Sequence, residues 1–105
     1  VGEPAKLFEG ADIVIDFTNP VSTRRHAELA VIKKIPLVIG TTGLDAATEQ
    51  VITTAAKTIP VLYAANFSRG VALLLELAAL AARALPDADL GIYELHHSKK
   101  VDAPS

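Results

Sequence analysis

Apolar residues in this chain fall into short β-branched runs separated by mixed segments of helical length. Residues 11–17, 36–40 and 60–64 are such runs and read as strands. Compact apolar runs of this length suit a parallel sheet buried on both faces. Between the first two, Thr18-Asn19-Pro20 offers a polar cap followed by a proline, which suits the first helical turn. The helix should run to about Lys34, with Ala27, Ala30, Val31 and Ile35 on its inner side. After the second run, Asp45 is placed to cap a helix over residues 46–57. Residues 5–10 read as the end of a short helix closing at Gly10.

Strand and helix in alternation predict parallel strands joined by right-handed crossovers. The expected fold is therefore α/β, the second part of a doubly wound, Rossmann-type sheet. Residues 71–85 have a different character, with Glu76 and Arg83 as their charges. A helix apolar on nearly every side is expected to be buried on most of them, which calls for another layer or a second subunit. Residues 89–96 read as a further strand. The change of style near Phe67 marks the expected domain boundary, with residues 1–66 in the α/β domain and 67–105 opening an α+β one.

Composition narrows the classes. The chain has 105 residues, half of them hydrophobic, enough for one small core. A net charge of −2 gives no reason to propose nucleic acid or an anionic membrane as partner. No apolar run approaches the ~18 residues of a membrane-spanning helix. Without cysteine there is no disulfide framework and no thiolate zinc site, which fits a cytoplasmic protein. Both ends look cut: Val1-Gly2-Glu3-Pro4 has the character of a mid-chain loop, and Ala103-Pro104-Ser105 stops inside the most reactive-looking stretch.

That stretch is residues 94–105, where His96, His97, Lys99, Lys100 and Asp102 gather. Histidine exchanges protons near neutrality, and lysine grips carboxylates or donates a proton when desolvated. Together they suit a site that binds an anion and protonates a reacting group. The plain alternative is a solvated loop. A zinc site from the histidines with Glu94 and Asp102 has the right ligand types, but neighbours on a strand point to opposite faces, so no metal is expected.

Ligands of open parallel sheets bind outside the carboxyl ends of the strands. Three loops sit there: Phe17-Thr18-Asn19, Gly40-Thr41-Thr42-Gly43 and Ala65-Asn66-Phe67-Ser68. Their small and hydroxyl-bearing residues would let a flat cofactor approach the backbone, and the helix after Gly43 would offer N–H groups to an anion. Each loop is also an ordinary turn by composition. No Gly-x-Gly-x-x-Gly phosphate loop is present.

In order, these segments resemble the dihydrodipicolinate reductase family of bacterial lysine biosynthesis. Residues 12–18 resemble its V-I-D-F-T strand, 38–43 its V-x-G-T-T-G segment and 64–70 its A-x-N-F-S-x-G segment. Residues 94–105 fit E-x-H-H-x-x-K-x-D-A-P-S-G-T up to its last two positions. The resemblance implies NADPH- or NADH-dependent reduction of a cyclic imine dicarboxylate, 4-hydroxy-tetrahydrodipicolinate, in the diaminopimelate pathway. It implies His96 as proton donor/acceptor, Lys100 as proton donor and His97 as a substrate contact. Gly40, Thr41 and Thr42 match the nicotinamide-side loop. Ala64, Ala65, Asn66 and Phe67 match a second cofactor loop, and Phe17 and Thr18 lie along the dinucleotide. It further implies a homotetrameric parent, whose second domain serves substrate binding and tetramerisation, and a piece inactive by itself.

Other readings stay open on residues alone. One is a non-catalytic dinucleotide-binding module, and another an assembly element built on the helix over 71–85. A dehydrogenase for a different imine or semialdehyde is a third, although residues 100–105 argue against it.

Overall fold

A computed structural model describes residues 3–93 and residue 95 of the chain. His96, His97 and Lys100 lie outside the described residues. The chain divides into two compact units, Val1–Ala65 and Asn66–Ser105.

In the first unit, α1 (Pro4–Leu7) leads into β1 (Val14–Asp16), α2 (Pro20–Lys33), β2 (Leu37–Ile39), α3 (Ala46–Ala55) and β3 (Val61–Tyr63). The strands form one parallel sheet in the order β1-β2-β3. In register, Val14, Leu37 and Val61 stand side by side, as do Ile15, Val38 and Leu62, and then Asp16, Ile39 and Tyr63. The ladder continues past the strands: Gly40 N–H donates to the Asp16 carbonyl (2.8 Å) and Ala64 N–H to that of Ile39 (3.1 Å). The expected parallel α/β half-sheet is thus present, with strands shorter than the apolar runs.

Local signals set the helix ends. Asn19 Oδ1 accepts from Ser22 N–H (3.0 Å), and Pro20 occupies the first turn of α2, where its missing N–H costs nothing. Asp45 Oδ1 accepts from Thr48 N–H (2.7 Å) at the start of α3. At the other end of α2, Lys34 adopts the left-handed conformation (φ 56°, ψ 41°) and Ile35 N–H returns to the Ala30 carbonyl (3.0 Å). That is the closing turn in which glycine is usually found.

Leu37 and Ile39 of β2 are fully buried against Ala27 and Ala30 of α2 and Ile52 and Ala55 of α3, with Phe8 and Ile59 completing the core. The two alanines have no exposed surface, which lets α2 lie close to its neighbours. Each large aliphatic side chain buried this way contributes about 1.5–3 kcal/mol.

The opposite sheet face differs from expectation. Ile15 is 65% exposed and Leu62 55%, so β1 is buried on one face and open on the other. Parallel sheets normally carry a layer on both faces. α2 and α3 supply one, and nothing among the described residues of this unit supplies the second.

The second unit begins with α4 (Arg69–Ala84). Ser68 Oγ caps it by accepting from Val71 N–H (3.4 Å). No residue of α4 is buried, and Leu73, Leu74, Leu77 and Leu80 are all exposed at helical spacing. The expected burial is therefore not met within the described part of this unit. Residues 89–93 and 95 form no strand, because no partner strand lies beside them among the described residues of the unit.

Candidate functional site

The carboxyl ends of β1 and β2 are held together by a buried polar cluster. Asp16 is the last residue of β1, and strand alternation turns it inward with Val14, under the first turns of α2. At 2% exposure its carboxylate needs partners, and it has them. Thr18 Oγ1 donates to Asp16 Oδ1 (2.6 Å), as does Thr41 Oγ1 at a longer 3.4 Å. His26 Nδ1 lies 3.2 Å from Oδ2. Burial pushes the Asp16 carboxyl up, but hydrogen bonds with Thr18 and His26 and the attraction of His26 outweigh it. The group is held below its ordinary value. An ionised Asp16 accepts only, so Nδ1 of His26 carries the proton in this pair.

Thr41, first residue after Gly40, is 4% exposed. Its Oγ1 accepts from Thr18 N–H (2.9 Å) and from Thr23 Oγ1 (2.9 Å), while its own proton points to Asp16. A hydroxyl has one donor and two acceptor sites, and all three are used. One side chain therefore ties the loop after β1, the first turn of α2 and the loop after β2. No buried side-chain nitrogen or oxygen among the described residues lacks a partner.

The residues singled out in the sequence divide into groups. Phe17, Thr18, Gly40, Thr41 and Thr42 do come together on one edge of the first unit. What lies close to Gly40, however, is the Phe17 ring: a Cβ at Gly40 would overlap ring atoms Cδ1, Cε1 and Cζ. The Thr41 hydroxyl is consumed internally, leaving its backbone for a ligand. Gly43 has a positive φ (70°), which glycine adopts without steric cost. Ala64, half-buried, extends the ladder at β3, and Ala65 follows it exposed. In the second unit, Asn66 Oδ1 accepts from Ser68 N–H (2.7 Å), which makes it a turn former, and Phe67 is 46% exposed.

One expectation needs correction. The start of α3 does not present a free anion site, because Asp45 already occupies it and Glu49 lies in the same first turn. Two carboxylates there repel a phosphate. Loop residues 17–19 and 40–43 contain no lysine or arginine either.

Asp16, Thr23 and His26 were not singled out as site residues. A signal existed: alternation turns Asp16 inward, and Thr23, Ala27 and Ala30 share the inner side of α2, so a buried carboxylate needed donors from that side. Among the described residues, no group of histidine, aspartate or glutamate is placed to hold a metal ion, and no helix is long and apolar enough to cross a membrane.

Comparison with known proteins supplies two family matches in chain order. Residues 1–67 match the family described as dihydrodipicolinate reductase, N-terminus, and residues 70–105 the one described as dihydrodipicolinate reductase, C-terminus. Among curated relatives, the 4-hydroxy-tetrahydrodipicolinate reductase of Gluconacetobacter diazotrophicus is 50% identical over 101 residues, covering 94% of this chain and 40% of that protein. That of Helicobacter hepaticus is 45% identical over 99 residues, covering 94% and 39%. That of Magnetococcus marinus is 47% identical over 105 residues, covering 99% and 39%. The chain therefore spans about two fifths of the length of these relatives.

Proposed function

Because the chain belongs to the dihydrodipicolinate reductase family, we propose that its parent protein reduces 4-hydroxy-tetrahydrodipicolinate to tetrahydrodipicolinate with NADPH or NADH. The observation that carries this reading is the match of both family halves, in order, to a chain that retains the His96-His97-x-x-Lys100 segment.

Residues 1–66 then belong to the dinucleotide-binding domain and 67–105 to the beginning of the substrate-binding and tetramerisation domain. The exposed leucines of α4 support a further layer or subunit against that helix. In the first domain, Gly40, Thr41 and Thr42 line the nicotinamide side, and Phe17 and Thr18 lie along the dinucleotide. Thr41 and Gly40 act there through backbone, since the hydroxyl of one is engaged and the other has no side chain. Ala64, Ala65, Asn66 and Phe67 form the second cofactor loop. The cytoplasm is the compartment that fits a cysteine-free biosynthetic enzyme.

The bound nicotinamide supplies hydride; the side chains bind, orient and protonate. Reduction of the ring leaves electron density that a positioned acid must quench, the role of His96. Lys100 donates the other proton, and with His97 it supplies positive charge and N–H donors to the substrate carboxylates. Residues 1–105 alone are inactive in this reading.

The test is absorbance at about 340 nm, the band of reduced nicotinamide. The full-length parent is mixed with NADPH or NADH while a synthase generates the substrate in the cuvette. Substrate-dependent decay that is largely lost in His96→Gln, with nucleotide affinity retained, is expected. A His96→Gln protein that loses nucleotide affinity and keeps kcat would remove the acid assignment, and a parent that binds nucleotide without decay would be a binding module.

A further inference from the structure

The side chains of Thr23 and His26 reach the loops expected to meet the nucleotide through Thr41 and Asp16. Thr23 Oγ1 donates to Thr41 Oγ1 (2.9 Å), and His26 Nδ1 to Asp16 Oδ2 (3.2 Å). Both come from the inner side of α2, where Thr23 has no exposed surface. The Phe8 ring lies beside the imidazole of His26, with centroids 6.3 Å apart. Thr41 in turn accepts Thr18 N–H (2.9 Å), so the two loops are fixed to each other by a hydroxyl whose orientation the α2 donor sets.

We propose that Thr23 and His26 are positioning residues, which set the backbone of Thr18 and Thr41 at the edge that receives the nicotinamide nucleotide. This rests on the reductase reading above. Thr23 gives Thr41 a hydrogen atom, which forces the Thr41 proton toward Asp16 and leaves one lone pair for Thr18 N–H. His26 holds the other Asp16 oxygen, so the carboxylate cannot rotate away from Thr18 and Thr41. Remove either donor and a side-chain tie that sets the position of Thr41 and Asp16 from α2 is lost. Nucleotide affinity then falls, while the chemical step, which belongs to residues 96–100, is spared.

The experiment uses the full-length parent and measures NADPH and NADH binding by fluorescence titration, together with kcat, KM and thermal midpoint. Thr23→Val keeps the shape and loses the donor; Thr23→Ser keeps the donor. Thr23→Val should weaken nucleotide binding and raise its KM about tenfold, the effect of one buried hydrogen bond, with kcat changed less than about twofold. Thr23→Ser should restore affinity. His26→Leu and His26→Asn form the matching pair, because asparagine can place a donor where Nδ1 stood. That second pair serves if Thr23→Val does not fold. A folded Thr23→Val or His26→Leu protein with the parent's nucleotide affinity overturns the proposal, and so does a fall in kcat at constant KM. A parent that neither binds nor oxidises nucleotide overturns the reductase reading itself, and the positioning role with it.

Discussion

Gly40 offers a direct test of how the edge of the sheet is built. Its backbone is not among the positive-φ positions, so alanine there is conformationally allowed. In an open site the change would stabilise by about 0.4–1 kcal/mol, because the unfolded chain loses freedom. Here the new methyl falls inside the Phe17 ring. Phe17 is 62% exposed, so a little over a third of it is covered and can be given up to solvent. A phenylalanine buries on the order of 200 Å² when fully enclosed, so the ring would uncover roughly 70 Å². At about 25 cal/mol per Å² that costs roughly 2 kcal/mol. Gly40→Ala should therefore destabilise by about 1 kcal/mol.

With Phe17→Ala the obstacle is gone and the sign reverses: Gly40→Ala should then stabilise by about 0.4–1 kcal/mol. Urea unfolding of the full-length parent, the two single variants and the double variant, at one protein concentration, gives the coupling energy. A cost that is the same in both backgrounds would refute the reasoning, since the glycine would then be required by something other than the ring. A single-variant cost above about 3 kcal/mol would do so too, because it exceeds what an exposed ring can lose by moving.

Two further outcomes follow from single residues. Lys34 holds a left-handed conformation that costs a residue with a Cβ roughly 1 kcal/mol, so Lys34→Gly should raise the stability of the parent by up to about that amount, read as a higher thermal midpoint. The folded Asp16 carboxyl lies below its ordinary value of 3.8, so the unfolded chain binds more protons around that pH. The stability it contributes is complete above 3.8 and lost as pH falls through the folded value; acid unfolding of Asp16→Asn should lack that contribution, and an unchanged pH profile would exclude Asp16 as its source.

Much of the first unit was legible because its signals are local. Asn19 with Pro20, and Asp45, each mark a helix start by chemistry that acts within one turn. The β-branched runs locate the strands, since apolar content and period decide them. Burial was less legible, because it depends on what lies across the sheet. Ile15 and Leu62 have the composition of buried strand residues and stand open, and the leucines of α4 do the same on a helix. A hydrophobic pattern tells which face seeks cover and not which segment provides it. The anion site expected at α3 failed for a different reason: Asp45 was correctly read as a cap, and a capped terminus has already spent the N–H group and charge preference a phosphate would use.

The Gly40-Thr41-Thr42-Gly43 segment shows how a motif can combine two demands. Read as a ligand loop, its glycine admits a cofactor and its threonine donates to it. In the structure the space at Gly40 is taken by Phe17, and the Thr41 hydroxyl has no free donor or acceptor. Both residue types are thus required by the loop's own construction before any ligand arrives. Valine at 41 would preserve shape yet leave Thr18 N–H and the Thr23 hydroxyl without their acceptor, and serine would preserve all three bonds. A ligand that meets this edge reads backbone whose position those internal contacts determine. The residues that decide its affinity therefore extend inward to Asp16, Thr23 and His26, which no ligand needs to touch.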